Sequence, residues 1–196
     1  PAAGAAGARG ASGADPALIA KAPSPAELRA LADEAYGYLA SRFLDERHGG
    51  FFWAVAPSGR PTVEKKQIYG QAFALYALSE YARVGAADPA RRAEARGLAR
   101  DTFALLDDWA REDRWGGYLE ALARDWSPTA DRVLSPVDLD CDKSMNTNLH
   151  VLEALSALYR LDPSPGHREA VVSELAVMAR SVFQADGHLG LFFRTD

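Results

Sequence analysis

The chain has 196 residues, 48% of them hydrophobic and 25% charged, which is the length and composition of one globular domain able to bury a sizeable core. Its 22 Lys and Arg are dispersed among 27 Asp and Glu for a net charge of −5, leaving no basic stripe for nucleic acid or an anionic membrane surface. No apolar run reaches the roughly 18 residues a membrane-spanning helix needs, so the cytoplasm is the expected location.

A single cysteine, Cys141, precludes an intramolecular disulfide. The histidines His48, His150, His167 and His188 lack metal-ligand spacing. Asp138, Asp140 and Asp142 imitate the start of a calcium loop, but Lys143 stands where glycine is needed and Leu149 where a glutamate belongs. A solvated loop is expected there, and neither a metal nor any other cofactor.

Residues 1–25 are rich in Ala, Gly, Pro and Ser and too poor in large apolar side chains to offset the entropy of ordering, so a flexible tail is expected before a folded domain over 26–196. Ser24 with Pro25 opens a helix to about Phe43, with Leu28, Leu31, Tyr38 and Phe43 on its apolar side. Asp45 to Trp53, DERHGGFFW, is a turn with aromatic surface, where Gly49 and Gly50 permit a tight backbone. Lys65 to about Val84 reads as a helix apolar or small on most sides, as suits one surrounded by others, with Gln71 and Glu80 as its long polar interruptions. Asp88-Pro89 opens a half-exposed helix to about Arg111, and DRWGGYLEALARDW (113–126) repeats the glycine-pair turn. After a proline-containing loop, Asp142 is the expected N-cap of a helix over Lys143 to Arg160, with Met145, Leu149, Leu152 and Leu155 as its packing side. Asn146, His150 and Glu153 then stack on one face of it. A last helix is expected from about Pro165 to Phe183, before HLGLFF.

An internal repeat organises these pieces. Lys66 to Arg83 superimposes on Lys143 to Arg160 at a constant offset of 77, HGGFFW corresponds to WGGYLE, and HLGLFF reads as a degraded third copy. Each unit is a glycine turn, an inner helix and a more polar outer helix, and such hairpins bury their inner faces only by stacking into a curved array. In this superposition Tyr69 takes the place of Asn146 and Phe73 that of His150, which marks His150 as different in kind from its counterpart.

The stretch KSMNTNLHVLEA, together with HGGFFW, RWGGYLEALARDW and HLGLFF in that order, resembles the N-acylglucosamine 2-epimerase family, above all its cellobiose 2-epimerase branch. The resemblance implies an all-α fold, an (α/α)6 barrel, here incomplete: an N-terminal portion whose open edge would favour self-association. It implies inversion at C2 of an aldose, or aldose–ketose interconversion, through a cis-enediolate, with a small carbohydrate as partner. His150 falls on the family's catalytic histidine and Asn146 on the asparagine one turn before it, while a second catalytic histidine is missing. The position of a family arginine falls on Gln71, a neutral donor in place of a fixed charge.

Around His150 the candidate substrate-contacting residues are therefore Asn146, Gln71, Tyr69, Trp53, Trp115, Tyr118 and Glu153. Glu153 reads equally as an orienter of the imidazole or as one half of a core salt bridge, and the aromatic residues equally as sugar platforms or as loop packing. Two other classes remain open at this level. A glycoside hydrolase on the same type of barrel would draw its carboxylates from Asp113, Glu120, Asp125 and Glu153. A non-catalytic helical-repeat scaffold would use the inner face for binding alone.

Overall fold

The computed structural model describes residues 22–195, so the expected tail lies, as far as Lys21, outside the described residues. Five α-helices form its frame. α1 (Pro25–Tyr38) starts at Ser24, where a capping box forms: Glu27 Oε2 accepts the Ser24 N–H at 2.7 Å while Ser24 Oγ accepts from the Glu27 N–H. α2 (Ile68–Glu80), α3 (Pro89–Leu105), α4 (Met145–Leu161) and α5 (Pro165–Val177) follow, and Asp88 and Ser164 cap α3 and α5 with their side chains. Every helix except α4 ends in a five-residue π-helical turn, at Leu39–Phe43, Tyr81–Gly85, Leu106–Ala110 and Met178–Val182.

α2 and α4 lie side by side as an inner layer, with α3 packed outside α2 and α5 outside α4. The seam is filled by Ile68, Ala72, Leu75 and Leu78 of α2 and by Val151, Ala154, Leu155 and Leu158 of α4, all fully buried. Ala95 and Ala99 of α3 close the outer side, and alanines at these contacts let the helix axes approach. The expected neighbouring inner helices are thus present.

The strands are short and antiparallel: β1 (Ala54–Val55) with β2 (Pro61–Val63), β3 (Lys66–Gln67) with β4 (Ala121–Leu122), and β5 (Lys143–Ser144) with β6 (Phe192–Phe193). They correct two helix starts. Lys66 and Gln67 belong to a strand rather than to the helix expected from Lys65, and Lys143 and Ser144 likewise precede α4. Ser144, not Asp142, caps α4, its Oγ accepting from the Thr147 N–H at 3.1 Å; Asp142 instead accepts from Arg132 and from the Thr195 N–H. The packing side is also rotated from expectation: Leu149 is exposed, and Thr147, Val151 and Ala154 are buried.

The glycine turns are built alike. Gly49 and Gly50 (φ +71 and +65) correspond to Gly116 and Gly117 (φ +76 and +79), conformations open to glycine and strained for other residues. Bridges Leu44 to Phe51, Arg111 to Tyr118 and Phe183 to Leu189 show three copies. The third is shifted relative to the sequence match: Gly187 (φ +86) takes the place of Gly49, while Gly190 lies beyond the turn.

Each of the first two turns is fastened to its inner helix by one buried amide. Gln71 donates to the Phe51 carbonyl at 2.7 Å and accepts from the Phe51 N–H at 2.9 Å; Asn148 donates to the Tyr118 carbonyl at 3.1 Å and accepts from its N–H at 2.7 Å. An ion pair accompanies each clamp, Lys66 to Asp45 fully buried at 2.9 Å and Lys143 to Glu112 partly buried at 2.7 Å. Burial alone would raise the Asp45 carboxyl, but Arg124 and Lys66, both bonded to it, hold it well below the usual carboxylate range.

Among the described residues no helix is long and apolar enough to cross a membrane, and no group of three or more His, Cys, Asp or Glu is placed to hold a metal ion.

Candidate active site

His150 lies in the second turn of α4, on the side opposite the outer layer, and its imidazole is half-buried. Glu153, one turn on, places Oε2 2.7 Å from His150 Nδ1. With the carboxylate ionised, Nδ1 carries the proton and donates it, so the lone pair of the neutral ring is on Nε2. Glu153 therefore orients the imidazole instead of entering a core salt bridge.

The rest of the setting comes from α2. The Tyr69 ring meets His150 edge-on, with centroids 5.0 Å apart and planes at 86°, and the Phe73 ring lies 4.6 Å away at 44°. Tyr69 and Phe73 contact each other at 4.9 Å, and Trp53 stands edge-on to Tyr69 at 6.3 Å. Trp53 can lie there because residue 70 is glycine: a Cβ at Gly70 would be 2.9 Å from its indole. The result is an aromatic wall of Trp53, Tyr69 and Phe73 beside a polar row of Asn146, His150 and Glu153.

Asn146 is exposed one turn before His150 and borders a cavity of about 150 Å³ that is also lined by Glu120, Ser144 and Met145. Glu120 is buried at 3% exposure; its Oε1 accepts from Thr147 Oγ1 at 2.7 Å, and its Oε2 has no partner. Burial raises its pKa, and hydrogen bonds from Thr147 and Ser144 counter only part of that effect.

The other candidates sit elsewhere. Gln71 is 1% exposed with both ends of its amide committed to Phe51, so it faces the turn and not His150. Tyr118 is buried at 2% exposure under the second turn, where its packing role suffices. Trp115 is exposed at that turn, with its Nε1–H on the Thr195 carbonyl at 3.3 Å. Sequence reasoning missed Phe73 as a neighbour of His150. The repeat contained the signal, since adjacent inner helices present equivalent positions to one another across the seam.

The remaining histidines stand apart: His167 is held by the Asp162 carbonyl and Phe103, His188 by Asp186, and the His48 carbonyl accepts from Trp126. The carboxylates considered for glycoside hydrolysis each have a partner of their own. Asp125 caps Ser127, Asp113 is exposed beside Arg111, and Glu120 and Glu153 are engaged as described.

An arc of α/α hairpins, with His150 on its inner wall among aromatic rings, defines a partial (α/α)6 barrel. Residues 19–196 match the N-acylglucosamine 2-epimerase (GlcNAc 2-epimerase) family, and the chain belongs to it. It is 35% identical over 171 residues to a cellobiose 2-epimerase of Bacteroides fragilis, covering 87% of this chain and 42% of that protein. A D-mannose isomerase of Marinomonas mediterranea is 25% identical over 152 residues, covering 76% of this chain and 33% of the relative. The solved cellobiose 2-epimerase of Spirochaeta thermophila superimposes with a TM-score of 0.77 at 40% identity, over 92% of this chain and 43% of that one. The chain thus spans less than half the length of these relatives.

Proposed function

We propose that this chain supplies one wall of the active site of a sugar 2-epimerase or aldose–ketose isomerase, with His150 as an acid/base at C2 of the open-chain sugar. The observation that carries the reading is the half-buried His150 imidazole, tied through Nδ1 to Glu153 at 2.7 Å and flanked by Tyr69 and Phe73. Abstracting a proton next to a carbonyl calls for a base near neutral pKa, which imidazole provides. His150 Nε2 takes the C2 proton, the C2–H electron pair moves into a C1–C2 double bond, and the carbonyl oxygen becomes the enediolate oxygen. Returning the proton to the opposite face of C2 gives the epimer, and returning it to C1, with the O2 hydroxyl proton passing to O1, gives the ketose. Glu153 steadies the imidazolium formed in between.

Epimerisation needs a second acid/base on the other face, and in this reading it comes from polypeptide outside this chain. The wall of Trp53, Tyr69 and Phe73 offers apolar surface to the C–H face of a sugar, while Asn146 offers an amide to its hydroxyls. The relatives' names point to cellobiose or mannose as the substrate type. Apolar side chains exposed on α1 and α5, among them Leu28, Leu31, Val172 and Leu175, are in this reading covered by further hairpins of a whole barrel or by self-association.

The test is His150→Asn in a full-length enzyme containing this chain. It should abolish exchange of the substrate's C2 proton with deuterated solvent and leave the melting temperature nearly unchanged, because the side chain stands at a wall and not in the core. Exchange at the wild-type rate, or collapse of the fold, would remove His150 from the mechanism.

A further inference from the structure

The slot beside the first glycine turn is filled by Trp126. Its indole is buried, its Nε1–H donates to the His48 carbonyl at 2.9 Å, and Lys66 Nζ lies 5.7 Å from the ring centroid. A Cβ on Gly50 would come within 2.6 Å of that ring, so the turn and the indole fit only because the residue is glycine. Trp126 stands four positions past Leu122, the β4 residue paired with Lys66.

Beside the second turn the counterpart location is a cavity of about 290 Å³, lined by Trp115, Gly116, Lys143, Asn148, Val177 and Phe193 among others. Trp115, Lys143 and Asn148 are the repeat counterparts of His48, Lys66 and Gln71. Phe193 pairs with Lys143 as Leu122 pairs with Lys66, so the position matching Trp126 is the one directly after Asp196. Trp115 Nε1–H holds the Thr195 carbonyl at 3.3 Å, which keeps the backbone at the rim of the cavity.

We propose that this cavity is a receptacle for an aromatic side chain borne by polypeptide following β6, seated on the second glycine turn as Trp126 is seated on the first. The chemistry of the walls suits an indole. Val177, Met178 and Val182 supply apolar surface, and Lys143 provides a cation beside the ring position. The Trp115 carbonyl already accepts from Arg180 at 2.8 Å but has a second lone pair for an indole N–H. The occupant would immobilise the turn that Asn148 anchors, and with it the first turn of α4, which carries Asn146 and leads to His150. The aromatic residue is then a positioning element for the active site, reached through the turn.

The chain extended by Trp-Ser-Pro, copying residues 126–128, is compared with the chain extended by Ala-Ser-Pro. Burying the indole should raise the melting temperature by about 5 °C over the alanine version. On the unextended chain, N-acetyltryptophanamide should shift the Met178 methyl resonance, N-acetylleucinamide should shift it much less, and the tryptophan extension should block the effect. Equal melting temperatures for the two extensions overturn the proposal. So does a Met178 methyl that responds alike to both amides.

Discussion

Gln71 and Phe73 are two positions apart on α2, yet they should respond in opposite ways to arginine. At Gln71 the guanidinium would enter a site of 1% exposure and remove the acceptor of the Phe51 N–H. A buried donor left without a partner costs about 1–3 kcal/mol, and burying a charge without a counter-ion adds several more. A loss of at least about 4 kcal/mol is expected, which for a chain of this size lowers the melting temperature by roughly 8–16 °C or prevents folding. At Phe73 the side chain is already 40% exposed on the inner face, and arginine keeps the aliphatic stem against Tyr69 and His150. That change should cost less than about 1.5 kcal/mol. Far-UV circular dichroism melts of Gln71→Arg and Phe73→Arg at one protein concentration decide the matter. If Gln71→Arg melts within about 2 °C of the parent, the clamp on Phe51 contributes nothing and the account of the repeat is wrong.

Glu174, 1% exposed on α5 with Oε1 unpartnered, is pushed by burial up to about 8 from 4.5, with Lys143 opposing the shift. Between those values the fold holds a proton that the unfolded chain has released, so its contribution to stability falls as pH rises from about 4.5 to about 8, by up to roughly 5 kcal/mol at 1.36 kcal/mol per unit. Glu174→Gln should therefore gain on the parent steadily over that range in urea titrations, whereas a difference independent of pH would show that Glu174 is ionised throughout. Sedimentation velocity on the isolated chain should show concentration-dependent self-association through the apolar faces of α1 and α5; a single monomer species across a hundredfold dilution would contradict it. In a full-length enzyme Glu153→Gln should lower kcat more than it raises KM, since the imidazolium formed in the reaction loses its counter-charge. An unchanged kcat would reduce Glu153 to a surface partner.

The amino-acid sequence by itself determined the helices, their order and the repeat that stacks them, because glycine pairs, caps and apolar spacing are local signals. It also determined that His150 is the unusual member of the repeat and that Glu153 lies within reach of it, since one helical turn sets that distance whatever surrounds the helix. Only the tertiary structure decided which way each face points. Inner helices are covered on most sides, so their periodicity does not separate the face against the outer layer from the face against the site; α2 buries Ile68, Gln71, Ala72 and Leu75 and exposes Phe73 and Tyr76. For that reason Gln71 read as a site residue and proved to be a backbone clamp, and Leu149 read as core and proved to be exposed. The partners of Gln71, Asn148 and Trp126 are 20, 30 and 78 residues away in the chain, and contacts closed over such distances leave no mark in the spacing of neighbouring residues.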